Sequence, residues 1–238
     1  MSIPLLKQSI KANFATWAIV TLILNILLGQ LLSMDMAALV NQMYYNMLMP
    51  SVISIYIIIT GNKLLANQVD RGSMAYILSA PIRRTTVVTT QAIYFIGSLA
   101  ATFLTTTGTF MMVNNMADTG FANDVIVYLN LGAFMVSLAL AGIMFAASGI
   151  FNLSKNVMGT GGLLVLAFLI IAIVGSFADF GVPDLKPMQH FTILSLFDIK
   201  NILAGGSDWI PKMAVLGGIG LGTITLGGLS FVKKDLPL

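Results

Sequence analysis

The sequence predicts an all-α integral membrane protein with six transmembrane helices. Three observations lead there. The 238 residues are 57% hydrophobic and 9% charged, whereas soluble domains carry about 25% charged residues. The apolar residues gather into six long continuous runs, each at least the ~20 residues a helix needs to cross a bilayer; a β-barrel would show short alternating strands instead. Nine of the twelve Lys and Arg side chains fall on connections that share one side of such a bundle. That bias marks the cytoplasmic side.

The first element expected is an N-terminal amphipathic helix over residues 1–16. Ile3, Leu6, Ile10, Phe14 and Trp17 recur at helical spacing, and Lys7 and Lys11 lie four apart on one stripe. The pattern predicts a helix lying on the membrane interface and running into the first span. The run that follows is longer than a signal-peptide core and lacks an A-x-A cleavage site, so the segment is read as retained. The spans are then Phe14–Leu32, Met43–Leu65 with Pro50 as a tolerated kink, Thr86–Val113, Val125–Phe151, Met158–Phe177 and Trp209–Val232.

Six spans put both termini on one side. Lys7, Lys11, Lys63, Arg71, Arg83, Arg84, Lys155, Lys233 and Lys234 fall on that side, against Lys186, Lys200 and Lys212 on the other. Both termini are therefore expected in the cytoplasm. Asp35, Asp118, Asp124, Asp179, Asp184, Asp198 and Asp208 fall outside. The external segment 179–208 holds two apolar stretches too short to cross, Phe191–Phe197 and Ile199–Leu203. It is expected to dip back into the outer leaflet as a re-entrant pair of short helices, the alternative being an ordinary external loop.

The connection over residues 66–85 carries the sharpest local signal. Asp70-Arg71-Gly72 reads as a turn, Ser73 as a helix N-cap and Pro81 as a stop. Between them Met74, Ile77 and Leu78 share one helical face, and Arg83 and Arg84 follow. A helix of two turns is marginal alone, and no soluble domain of this chain is in view to bury its apolar face. The pattern therefore asks for a partner protein with a groove. The plain alternative is that the Arg pair only faces anionic lipid.

Taken together, the amphipathic start, two spans, cytoplasmic amphipathic helix, three spans, dipping segment and last span resemble the permease subunit of ABC-2-type transporters. The stretch Asp70-Arg71-Gly72-Ser73, followed by Met74 to Leu78, Pro81, Arg83 and Arg84, is similar to that family's loop motif, departing from it at Ala75 and Gln91. The resemblance covers residues 1–238 as one transmembrane domain. It implies that the loop is a coupling helix, with Asp70, Arg71, Gly72, Met74, Ile77, Leu78, Pro81, Arg83 and Arg84 docking on a separate ABC ATPase subunit. It implies ATP and Mg on that partner rather than on this chain, a second permease subunit as homo- or heterodimer, and export of a peptide, drug-like amphiphile or lipid.

The rest of the sequence is consistent with a non-catalytic membrane subunit. No phosphate-binding loop occurs, and the glycines of the last span, with Gly218 and Gly222 four apart, read as close helix packing. The single His190 reads as a packing or surface residue, there is no Cys, and all nine acids are Asp. No charge lies deep in a span, which disfavours an ion-coupled transporter or channel. A non-transporting assembly or sensor subunit stays open. Thr21, Asn25, Ser54, Thr102 and Thr106 are candidates for lining a translocation path, against the alternative that they hydrogen-bond between helices. The absence of Cys and the lysine-rich habit suit a bacterial plasma membrane, and nothing in the charge points to nucleic acid.

Overall fold

The structure is a computed structural model that describes residues 1–34, 39–79, 82–117 and 119–236. It is built from helices, with no strand among the described residues. Among the described residues six helices are long and apolar enough to cross a membrane, so the chain is a multi-pass membrane protein. They are α1 (Ile3–Ser33), α2 (Val40–Leu64), α5 (Arg84–Ala117), α6 (Asn123–Ile150), α7 (Ser154–Ser176) and α9 (Trp209–Lys233). Two short helices, α3 (Ala66–Asp70) and α4 (Ser73–Ser79), make an elbow between α2 and α5. The five-residue α8 (Ile199–Leu203) precedes α9.

The helix expected over residues 1–16 is continuous with the first span. α1 runs unbroken from Ile3 to Ser33, a rod of about 46 Å at 1.5 Å per residue. Its early turns bury Leu5, Ser9 and Asn13 and turn Ile3, Ile10 and Phe14 outward. The reason is polar. The Ser2 N–H donates to Thr90 Oγ1 at 2.9 Å, and Ser9 Oγ donates to Gln91 Oε1 at 2.8 Å. A stripe of Leu5, Ser9 and Asn13 therefore packs inward along α5, while Lys7, Gln8 and Lys11 stay exposed together with Ile3, Ile10 and Phe14.

That pairing continues down both helices. Trp17 Nε1 donates to the Ser98 carbonyl at 2.9 Å, Thr21 and Thr102 share a hydrogen bond of 2.9 Å, and Thr109 Oγ1 donates to Asn25 Oδ1 at 2.6 Å. Partners rise in number together on the two helices, so α1 and α5 run parallel, as first and third spans must. Interhelical hydrogen bonds of this kind contribute on average ~0.6 kcal/mol each in a membrane.

α6 is the most enclosed span and packs most extensively on α9. The contact is glycine against glycine. A Cβ on Gly142 would stand 2.5 Å from the Gly220 carbonyl oxygen, and one on Gly149 would collide with the Gly227 carbonyl. Gly220 and Gly227 are hemmed in the same way by the backbones of Leu138 and Ala146. Close helix packing in the last span is thus real, but Gly218 and Gly222 do not make it: nothing lies within 4 Å of a Cβ at either. Residues 220 and 227, seven apart, share the face that meets α6.

Two spans are wound in part as π-helix, α2 over Val40–Leu48 and α7 over Met158–Gly162. In α2 the change to α-helix comes at Met49–Pro50, where proline has no N–H to give the preceding turn. Between α7 and α9 the chain forms 3-10 turns over Pro183–Phe191 and Ile193–Leu196 before α8. This segment doubles back along α7. Thr192 Oγ1 donates to the Phe168 carbonyl at 3.0 Å, eight residues short of the Ser176 end of that helix. Asp35, Asp118 and Pro81 lie outside the described residues.

Candidate functional site

One end of the bundle gathers the start of α1, the end of α2, the elbow, the start of α5, the α6–α7 connection and the end of α9. Leu65 breaks the α-helical path with φ −130° and ψ −66°. The freed Ala66 N–H donates to Ser148 Oγ of α6 at 3.0 Å. Asp70 accepts the Ser154 N–H at 3.1 Å, and Asn62 Nδ2 donates to Ser154 Oγ at 2.5 Å. The α6–α7 connection is therefore a brace under the elbow. Gly72, at φ +70°, reverses the chain where a Cβ would be strained.

The structure corrects the expected orientation of α4. Met74 is fully buried in the chain's own core, and Ile77 and Leu78 are half-buried against it. The apolar face is already covered, because the elbow folds back on the ends of its own spans. Ser73 is not an N-cap either: it is the first helical residue, and its hydroxyl donates to the Gln68 carbonyl at 3.1 Å. What faces outward is the opposite side, with Tyr76 at 84% exposure and Asp70, Arg71, Gly72, Ser73 and Ser79 also exposed. Arg71 is held upright by its Nε donating to Asn67 Oδ1 at 3.0 Å.

The arginine pair divides its work. Arg83 is exposed, while Arg84 Nη1 donates to the Lys234 carbonyl at 2.8 Å and ties the end of α9 to the start of α5. Lys234 in turn donates from Nζ to the Phe151 carbonyl at 3.1 Å and sits 5.1 Å from the centre of the Phe231 ring. Burial of this ammonium lowers its pKa to about 8.

The five candidates for a translocation path do not share one surface. Thr21, Asn25 and Thr102 join α1 to α5, as described above. Thr106 Oγ1 donates to Asn130 Oδ1 of α6 at 3.0 Å. Ser54 is buried on α2, and its hydroxyl meets no partner. Four of the five are thus engaged in contacts between helices.

The opposite end of the bundle holds a feature that sequence spacing does not announce, a cavity of ≈ 410 Å3 between α2, α6, α7, the doubled-back segment and the start of α9. Phe197 packs into its wall, edge-on to Tyr45 with ring centres 5.9 Å apart. Lys212 and Asp198 form an ion pair at 2.5 Å. Partial burial alone would raise the Asp198 carboxyl, but the Lys212 ammonium and the Asn201 amide outweigh it and hold the group below its ordinary value. Among the described residues no three His, Cys, Asp or Glu side chains gather as metal ligands. Compared with known proteins, the chain matches no family model and no curated sequence.

Proposed function

We propose that this chain is the permease half of an ATP-driven exporter, and that the α3–α4 elbow is where a separate ATPase subunit bears on it. One observation carries the reading: the elbow is anchored on one face and open on the other. A part that transmits a push must be fixed to what it moves. Met74, Val69 and Ala66 are buried in the bundle, and Asp70 is tied to the α6–α7 connection. Movement of the elbow therefore reaches α2, α5, α6 and α7 together. The face left for a partner is the one with Tyr76, Arg71 and Ser79; Arg83 is exposed as well. Exposed tyrosine and arginine are residue types that dominate protein interfaces.

On this reading Met74, Ile77 and Leu78 support the elbow from within, and Asp70, Arg71 and Gly72 set the turn that presents Tyr76. ATP and Mg belong to the partner, a second copy or a related permease completes the pathway, and the cargo is amphipathic or hydrophobic. The elbow faces the cytoplasm of a bacterial cell. The test is co-purification from the native host followed by mass spectrometry. An ATPase subunit is expected with the native chain. It is expected to be lost from Tyr76→Asp/Arg71→Glu while the melting temperature of the permease holds. Absence of any ATPase from the native preparation, or its retention by the double variant, would overturn the proposal.

A further inference from the structure

We infer that the polar cluster shared by α1, α2 and α5 in the elbow half of the bundle is a binding site for an ordered internal water molecule. The cluster is built from Ser9 and Asn13 of α1, Tyr56 of α2, and Gln91 and Tyr94 of α5, all of them buried. Ser9 orders it. Its hydroxyl donates to Gln91 Oε1 at 2.8 Å, and its carbonyl accepts from Asn13 Nδ2 at 3.0 Å. The Asn13 amide also stands beside the Tyr94 hydroxyl, which lies 3.3 Å from that of Tyr56. Tyr56 donates onward to Ser98 Oγ at 2.6 Å.

Two amides that meet at Ser9 are left half-used. Gln91 is fully enclosed, and its Nε2 has no partner within the protein. Asn13 is 3% exposed, and its Oδ1 has none. The Asn13 amide is held through its N–H by a carbonyl, so its oxygen is the end left over. The Gln91 amide can turn over on the Ser9 hydroxyl, which both donates and accepts, yet either way one end of it stays unpartnered. Buried amide groups are hydrogen-bonded to protein or to ordered water, and inside a span no bulk water is within reach. A single water accepts from Gln91 and donates to Asn13. With the Tyr94 hydroxyl as a further contact it makes about three hydrogen bonds, the usual number for an enclosed water. The cluster carries no Asp, Glu, Lys or Arg, so it offers no counter-charge to an ion of either sign. The inference needs the packing of α1, α2 and α5 but not the ATPase partner, so either reading can fail without the other.

X-ray radiolytic footprinting of the purified native chain in nanodiscs, run in heavy-oxygen water, tests it. Radiolysis splits a bound water in place, and the hydroxyl radical adds to the nearest side chain. An enclosed aromatic ring therefore takes up label only where water is held against it. Tyr94 is expected to take up heavy oxygen, whereas Phe110 and Phe145, both fully enclosed, are expected to take up none. Asn13→Leu/Gln91→Leu keeps the bulk of both side chains and removes their polar ends, and it should abolish the label on Tyr94. Label on Tyr94 no greater than on the two phenylalanines overturns the inference. So does its full retention by a double variant that melts where the native chain does. The comparison of rings is made within the native chain, so it decides the matter even where the variant fails to fold.

Discussion

Met74 and Tyr76 stand two residues apart on α4 and face opposite ways, one fully buried and one 84% exposed. Met74→Asp places an unpaired charge in the core and is expected to destabilise the chain by about 2–5 kcal/mol. Tyr76→Asp should leave the melting temperature where it was. Scanning fluorimetry of the two purified variants checks this, and equal melting temperatures would contradict the orientation of α4. Lys234 gives a pH-dependent counterpart. Its folded pKa of about 8 lies below that of an exposed lysine, about 10.4, so between these values the unfolded chain binds more protons. The ammonium therefore detracts from stability below pH about 8, and this penalty fades as pH rises toward about 10. Measured against Lys234→Met, the native chain should gain in relative melting temperature between pH 7 and pH 9.5, with buffers and detergent held fixed. A gap that stays flat over that range would contradict the burial of this group.

At the scale of elements, the helices were legible and their contacts were not. All six spans were expected from run length, because hydrophobic thickness fixes a minimum that sequence shows directly. The face each helix buries depends on what it meets. Leu5, Ser9 and Asn13 form the inward stripe of the first turns of α1 while Ile3, Ile10 and Phe14 face out with Lys7 and Lys11, since in lipid an apolar side needs no protein partner whereas small polar groups hydrogen-bond between helices. Gly218 and Gly222 show the same limit: four-residue spacing marks one face of a helix, not the face that is used. Two predictions belong here. Gly149→Ala should force α6 and α9 apart and cost about 1–3 kcal/mol, while Gly222→Ala, open on its outer side, should be close to neutral in the monomer; urea or thermal unfolding separates them. A double-mutant cycle on Thr21→Val and Thr102→Val should return a coupling of ~0.6 kcal/mol, and a coupling of zero would argue against their shared hydrogen bond.

For the whole molecule, the elbow end collects the nine basic residues and the opposite end the cavity with Lys200 and Lys212. The chain contains no Cys, so single cysteines report position without background. In sealed right-side-out vesicles, Tyr76→Cys should resist a membrane-impermeant maleimide and Asp208→Cys should react. Reaction of both, or reversal of the two, would contradict the orientation assigned by charge. The two ends differed in how far they could be read. The elbow announced itself because turn, apolar face and arginines are contiguous in sequence. The cavity draws on α2, α6, α7 and residues 190–212, and pairs such as Asp198 with Lys212 become neighbours only once the 3-10 turns have folded back along α7.

The glycine seam has a mechanical side. Where two backbones already touch there is no slack, so α6 and α9 can only travel as one plank. On the proposed function, the stroke would have to find its play elsewhere. The π-wound turns of α2 and α7 carry spare length, and winding it in or out would lengthen or shorten those two spans while the α6–α9 plank stays stiff.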